Sequence, residues 1–487
     1  MQAEPDQSAG ATGAAERFKP FFCKRGWEPY PEQLAAWQSQ ANAESGLLCI
    51  PTGFGKTYAA TLGLLHRIAS EPATGLRLVY VTPLRALARD ITLALDAAAS
   101  SISDDIEVGL QTGDTDSKTK ARYRRRLPQV LVTTPESLTL LCARGDAPKL
   151  FANCEAVVVD EWHELLSTKR GTQTELALAR LRTFNPRLIT WGLSATLSNT
   201  MEAGEALVGT HSDFRVIRSP HCRPIEVRIL LPESVDAFPW AGHLGLRLLP
   251  ALLEDLDRNA STLIFANTRS QVERWHGALA EHAPDMVDRI AVHHGSIDRE
   301  ERARVEEALK DGSLRWVVCT SSLDLGVDFG PVDRVVQIGS PRGVARLAQR
   351  AGRSRHRRGE VAEVLCVPTN ALEILELVAT RRALEHGRIE PRHAILAPAD
   401  VLAQHMVTCA LGGGFQPTAL FDEVRTTKAY CSLTRADFDE VLRFVRDAGP
   451  GAADTAWNAP SARPSPGSCA ASRSRSGSTS CSTDGSI

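Results

Sequence analysis

Short apolar runs alternate with amphipathic stretches along most of this chain, and the pattern starts over once. The first series is LLCI (47–50), RLVYV (77–81), VLVT (130–133), AVVVD (156–160) and LITWGL (188–193). The second is VRILL (227–231), TLIFA (262–266), IAVHH (290–294), WVVCT (316–320), RVVQI (334–338) and EVLCV (363–367). Runs this short and this continuously apolar read as strands buried on both faces. The stretches between them, such as YAATLGLLHRIAS and LRALARDITLALDAAA, carry apolar residues at helical spacing. Strand–helix alternation builds βαβ units and a doubly wound parallel sheet. The expected fold class is therefore α/β, with two parallel-sheet domains in tandem at 18–215 and 216–385 and the link between them near 205–225.

Past residue 385 the strand pattern stops. ADVLAQHMVTCALGGGF, TALFDEVRTTKAY and LTRADFDEVLRFVRDAG read as three helices. The last opens on a Thr434-x-x-Asp437 cap and has an apolar face at Phe438, Val441, Leu442 and Val445. From Pro450 to Ser486 there is no Val, Leu, Ile, Phe, Met or Tyr. Such a stretch cannot bury enough apolar area to offset its ordering entropy, so disorder is expected over 449–487, as over residues 1–17. The abrupt change of composition after residue 448 resembles a shifted reading frame or a truncated product, which codon-position composition on either side would reveal.

Bulk composition excludes some classes. A formal net charge of -2 gives no global basic field, although a polyanion can bind in a local patch. The 11 cysteines include no C-x-x-C pair, so no zinc or iron–sulfur spacing is present, and the usage suits a reducing cytoplasm. No apolar run approaches transmembrane length.

The chemistry begins directly after the first strand, in PTGFGKT (51–57). Glycines there let backbone amides close around phosphate at a helix N-terminus. Lys56 would reach the β- and γ-phosphates, and the Thr57 hydroxyl would ligate Mg²⁺. The pattern departs from the general phosphate loop at one place, where Ile50 stands for a glycine. The strand VVVD ends in Asp160 and Glu161, which would hold the Mg²⁺ of a bound nucleotide and polarise the attacking water, respectively. LSAT (193–196) brings Ser194 and Thr196 to the same sheet edge. In the second half, QRAGRSRHRR (349–358) is the densest cluster of positive charge, and its arginines suit a γ-phosphate in the transition state. That half has no phosphate loop of its own, so one nucleotide is expected between the two sheets, with cleft closure depending on it.

Taken in order, PTGFGKT, TPLRALA (82–88), TGDT (112–115), TTPESL (133–138), DEWH (160–163), SAT (194–196), IFANTRS (264–270), TSSLDLGVDFG (320–330) and QRAGRSRH (349–356) resemble the motif set of superfamily 2 helicases. DEWHELLSTKRG and the later LAQHMVTCALGG are most similar to the large helicase-related (Lhr) family, in its ligase-associated branch. The resemblance covers roughly residues 18–448. It implies two RecA-like domains, a partial winged helix with no β-wing pattern, and an ATP-dependent 3′–5′ DNA helicase or translocase. ATP and Mg²⁺ are the implied cofactors. The implied partners are single-stranded DNA, an ATP-dependent DNA ligase and a repair nuclease.

Residue by residue, the resemblance makes Gln33 an adenine reader. It places Thr52, Gly53, Gly55, Lys56 and Thr57 around phosphate, and Asp328 either at the ribose or in the coupling of ATP to movement. His163, Ser194 and Thr196 would couple hydrolysis to movement. Arg353 would be the arginine finger, with Arg350 and Gln349 lining the same site, and His356 stands where many relatives carry a second finger. Nucleic acid would cross both sheets on Thr82, Arg85, Thr112, Gly113, Thr134, Pro135, Thr268 and Thr320, through hydroxyls and helix N-terminal amides that grip phosphates without reading bases. Contacts of that kind are largely blind to sugar type, so an RNA or RNA–DNA hybrid helicase stays open. So does a nucleotide-gated clamp, should the altered C-terminus abolish unwinding.

Overall fold

A computed structural model describes residues 18, 20–51, 53–71, 74–220, 224–231, 245–324, 332–354 and 361–447. The expectations for 1–17 and 449–487, and for Thr52, Asp328 and His356, lie outside the described residues. Both sheets are present. The first holds β1 (Gly46–Cys49), β2 (Leu78–Val81), β3 (Val108–Gln111), β4 (Val130–Thr133), β5 (Ala156–Val159), β6 (Ile189–Ser194) and β7 (Arg215–Arg218), in the order β3-β4-β2-β5-β6-β1-β7. The second holds β8 (Ile225–Ile229), β9 (Thr262–Phe265), β10 (Ile290–His293), β11 (Trp316–Cys319), β12 (Arg334–Ile338) and β13 (Ala362–Val367), in the order β10-β11-β9-β12-β13-β8. Every pairing in both sheets is parallel.

The central strands β2, β4, β5, β6, β9 and β11 are buried at every position, as their uninterrupted apolar runs require. Two strands escaped the apolar pattern, β3 and β7. Both lie at sheet edges, where one flank faces solvent and polar residues are tolerated. Because β7 joins the first sheet, that sheet extends past the expected boundary at 215 and the crossing to the second falls after Arg218. At the start of β1, a Cβ on Gly46 would sit 2.4 Å from the Trp191 ring, so only glycine lets that buried indole pack across the strand.

The three expected C-terminal helices form at Ala399–Leu411, Pro417–Arg425 and Arg435–Asp447. The Thr434 hydroxyl accepts the Asp437 amide at 3.2 Å, as the cap pattern requires. The helices dock on the first domain, chiefly on the helix Lys169–Phe184, where Arg180 meets Glu423 at 2.9 Å and Glu175 accepts the Ala429 amide at 3.1 Å. No described helix is long and apolar enough to cross a membrane.

Candidate nucleotide cleft and nucleic-acid channel

Strand order divides the C-terminal edge of the first sheet in two. The ends of β5, β6 and β1 are consecutive and carry Asp160–Glu161, Ser194 and the phosphate loop. The ends of β3, β4 and β2 carry Thr112–Gly113, Thr134–Pro135 and Thr82–Arg85. One edge thus separates a phosphate-binding half from a half lined with hydroxyls, at the place where parallel sheets bind ligands.

In the phosphate-binding half, Gly53 and Gly55 have φ of +87° and +70°, and Lys56 opens the helix Lys56–Ser70. Gln33 buttresses this loop: its Nε2 donates to the Gly55 carbonyl at 3.1 Å, while its Oε1 accepts the Tyr30 amide at 2.8 Å. The residue is 1% exposed, and one amide proton and one Oε1 lone pair are left to read a base. The Thr57 hydroxyl faces the buried Asp160 across the Tyr80 phenol, and burial first, then the nearby Asp160 charge, raises that phenol far above its ordinary range.

Asp160 and Glu161 titrate in opposite directions. Burial, reinforced by Glu161's charge, pushes the Asp160 carboxyl up. Burial also opposes ionisation of Glu161, but Lys56 at 3.2 Å, with Arg353, outweighs it and holds that carboxyl below its usual range. Glu161 adopts φ 45°, a left-handed turn that a non-glycine residue pays strain to hold, and the Asp160 Oδ1 fixes it by accepting the Glu161 amide at 2.9 Å. Glu161 Oε2 is buried and accepts no hydrogen bond. A carboxylate kept ionised, with one buried oxygen that makes no hydrogen bond and lies 3.5 Å from His163 Nδ1, suits a water-activating base.

His163 bridges the two sheets. Gln349 donates its amide nitrogen to His163 Nε2 at 2.6 Å, and Ser194 Oγ lies 3.1 Å from Nδ1. Burial keeps the imidazole neutral against the pull of Glu161, so its one proton sits on Nδ1 and faces Ser194. Ser194 Oγ in turn accepts the Thr196 amide at 3.3 Å. Gln349 lies on the helix Val344–Ala351 of the second domain, so this relay crosses the cleft.

Arg353 is 8% exposed, donates to the Asp324 carbonyl at 3.1 Å and is close enough to Glu161 to lower its carboxyl. Arg350 departs from the expectation that it lines the nucleotide site. It is 1% exposed and turned into its own domain, forking onto both oxygens of Asp324 at 2.7 and 3.1 Å, bonding Gln337 and stacking over Phe265. Three of the five guanidinium N–H groups are thus committed to Asp324 and Gln337 inside the second domain, which makes Arg350 a positioning residue for Asp324.

The other half of the edge opens on a channel of about 1470 Å³ between the domains. Arg85, Thr112, Thr134 and Thr320 line it, whereas Thr82, Gly113, Pro135 and Thr268 do not. Thr82 is fully buried and gives its amide to Thr133 at 2.9 Å. Gly113 packs beside the Arg85 guanidinium, Pro135 starts the helix that Thr134 caps, and exposed Thr268 caps the helix Arg269–His282. Of the arginines in ARYRRR, Arg122 reaches the channel.

Three models of known families match the chain in sequence order. They are the DEAD/DEAH box helicase over residues 30–203, the helicase conserved C-terminal domain over 245–359, and the winged helix domain of the large helicase-related protein over 382–454. The chain belongs to the large helicase-related family. Its Lhr relatives include the ATP-dependent helicase Lhr-Core of Methanocaldococcus jannaschii, 33% identical over 85% of this chain and 50% of that protein. Another is the Lhr helicase/probable uracil glycosylase of Mycolicibacterium smegmatis, 31% identical over 86% of this chain and 30% of that protein. The chain thus spans half or less of the length of these Lhr proteins. The structure of the Mycobacterium smegmatis helicase Lhr bound to ssDNA and AMP-PNP superposes with a TM-score of 0.79 at 32% identity, covering 91% of this chain and 58% of that one.

Several residues of this Lhr site were not anticipated. Arg170, in the STKRG stretch, donates to the Pro83 carbonyl at 2.8 Å and to Glu136 at 2.6 Å, tying the ends of β2 and β4 together at the channel wall. Gly171 beside it is obligatory, since a Cβ there would fall 2.1 Å from the Leu165 carbonyl oxygen. Asp324 and Gln337 form the Arg350 clamp, and a glutamine inside the apolar run RVVQI was the signal for it. Tyr80 gave no signal, because an aromatic residue in a buried strand is ordinary packing.

Proposed function

We propose that this chain is an ATP-driven motor that moves along single-stranded nucleic acid, DNA foremost, in the 3′–5′ direction. One observation carries the reading. Lys56 and Glu161 from the first sheet meet Arg353 and Gln349 from the second in a single cleft, while a separate channel crosses the opposite half of the same edge.

Lys56 neutralises Glu161 at 3.2 Å. A triphosphate on the loop would draw Lys56 to its β- and γ-oxygens and release the Glu161 carboxylate to orient water. Arg353 would meet the charge that develops on the γ-phosphoryl group. Thr57 and Asp160 are the residues that would hold Mg²⁺, an oxygen donor set that suits it, and the ion would neutralise phosphate charge. The Ser194–His163–Gln349 relay would report the state of this cleft to both domains. In the channel, Arg85, Thr112, Thr134 and Thr320 would grip phosphates. Polarity, service in DNA repair, and association with a ligase and a nuclease rest on the likeness to the Lhr motif set.

Strand displacement on matched DNA, RNA and hybrid duplexes with 3′ or 5′ overhangs tests this, with Glu161→Gln as the hydrolysis-deficient control. ATP-dependent opening of 3′-tailed DNA is expected. Absence of single-strand-stimulated ATP hydrolysis in the parent chain would overturn the motor reading, and preference for 5′ tails would overturn its direction.

A further inference from the structure

A cluster of metal-ligating side chains lies remote from the nucleotide cleft, where the winged helix meets the first domain. His405 and Cys409 stand four residues apart on the helix Ala399–Leu411 and therefore share a face. Glu423 approaches them from the helix Pro417–Arg425. His405 Nε2 is 3.5 Å from Cys409 Sγ and 3.8 Å from Glu423 Oε1, and the three ligand atoms all lie within 4.8 Å of one another. A tetrahedral zinc ion with bonds of about 2.0–2.3 Å separates its ligand atoms by about 3.3–3.6 Å, so small side-chain shifts would close this set on a metal.

Burial adds an independent observation. His405, Cys409 and Glu423 are only 5, 1 and 9% exposed. Glu423 Oε1 is buried with no hydrogen-bond partner, which is costly for a carboxylate oxygen out of water. The other oxygen of the same group is fully served: Arg180 Nη1 and the Thr183 hydroxyl each donate to Oε2 at 2.9 Å. One oxygen held by outer partners while the other points at a histidine and a thiol is the arrangement that orients a metal-binding carboxylate.

We propose that His405, Cys409 and Glu423 form a closed structural site for a thiophilic divalent metal ion, zinc foremost, which fastens the winged helix to the first domain. On binding, the Cys409 thiol and His405 Nε2 each give up a proton to solvent as the sulfur–metal and nitrogen–metal bonds form. One thiolate and one carboxylate then balance the dication, and the neutral imidazole supplies the third ligand. Arg180 keeps its bond to Oε2, so the metal is linked through Glu423 to the helix Lys169–Phe184. The fourth position falls to water. The sequence hid this set because its two close ligands are spaced H-x-x-x-C and its third lies on the next helix.

The test uses the full chain, stripped with chelator and titrated with Co²⁺, then with Zn²⁺. One equivalent of Co²⁺ should bind with a sulfur-to-cobalt charge-transfer band and strong tetrahedral visible bands, and Zn²⁺ should displace it. Cys409→Ser should abolish the charge-transfer band, and His405→Gln should weaken the visible bands. Cys319→Ser, in the buried β11, should change neither. Thr183→Val, which removes only an outer donor, should lower Co²⁺ affinity by about tenfold or more. Zn²⁺ should also raise the melting temperature of the parent chain but not of folded Cys409→Ser. Co²⁺ at the phosphate loop would meet oxygen ligands alone and give no sulfur band. A folded parent chain without a stoichiometric charge-transfer band, or a band that survives Cys409→Ser, would overturn the site and leave the histidine as a hydrogen-bonded bridge.

Discussion

Arg350→Ala separates a positioning role from a catalytic one. The guanidinium is 1% exposed, and its removal strands the Asp324 carboxylate, itself 5% exposed, without its bidentate partner. Breaking a buried pair on one side costs about 3–5 kcal/mol. Loss of the stack on Phe265, whose centroid is 4.7 Å away, adds about 1 kcal/mol. Arg346, 3.8 Å from Asp324, can recover part of that, so a net loss of about 4 kcal/mol is expected. At about 2–4 °C per kcal/mol, melting of the second domain should fall by roughly 8–16 °C. Hydrogen exchange should show faster opening of β12 and the helix Val344–Ala351, with little change in the first sheet. In a double-mutant cycle, Asp324→Ala added to Arg350→Ala should cost far less than it does alone. Parent-like exchange and melting, combined with lost ATP turnover, would refute the clamp and return Arg350 to the chemistry.

Two further outcomes follow from the same geometry. Burial pushes the Glu175 carboxyl up to about 8 against the pull of the Ala429 and Lys428 amides and the Arg182 and Lys428 charges, with Tyr430 also nearby. Its native form therefore holds a proton that the unfolded chain releases near pH 4.5, so winged-helix docking should weaken as pH rises from there through 8. Glu175→Gln should flatten that loss in melting temperature between pH 6 and 9, and an unchanged slope would contradict the assignment. Arg85, paired with Asp114 at 2.8 Å and 61% exposed in its side chain, should contribute one phosphate contact. Arg85→Ala should reduce the salt slope of single-strand binding by about 0.7, and an unaltered slope would remove it from the channel's contacts.

The sequence made the sheets readable because a strand covered by helices on both faces must be apolar throughout, and β5 or β11 admits no other reading. Edge strands are freer of that constraint, and β3 and β7, whose apolar runs are broken by glycine or flanked by polar residues, stayed hidden. The convergence of Lys56, Asp160 and Glu161 was legible because each sits beside a strand end in a fixed local pattern. Arg350 was misread for the opposite reason. A charge run around a glycine looks solvent- or phosphate-facing, and only the long-range pairing with Asp324 and Gln337 turns that side chain inward. Likewise Tyr80 becomes part of the cleft only when β2 and β5 pair and bring it against Asp160.

Arg353 is the residue through which the second domain is proposed to complete the hydrolytic site. Single-turnover hydrolysis by Arg353→Ala with saturating ATP and single-stranded DNA, alongside its ATP dissociation constant, tests that most directly. Near-parental ATP affinity is expected, with a hydrolysis rate lower by about a thousandfold or more. Parental hydrolysis in Arg353→Ala would contradict it.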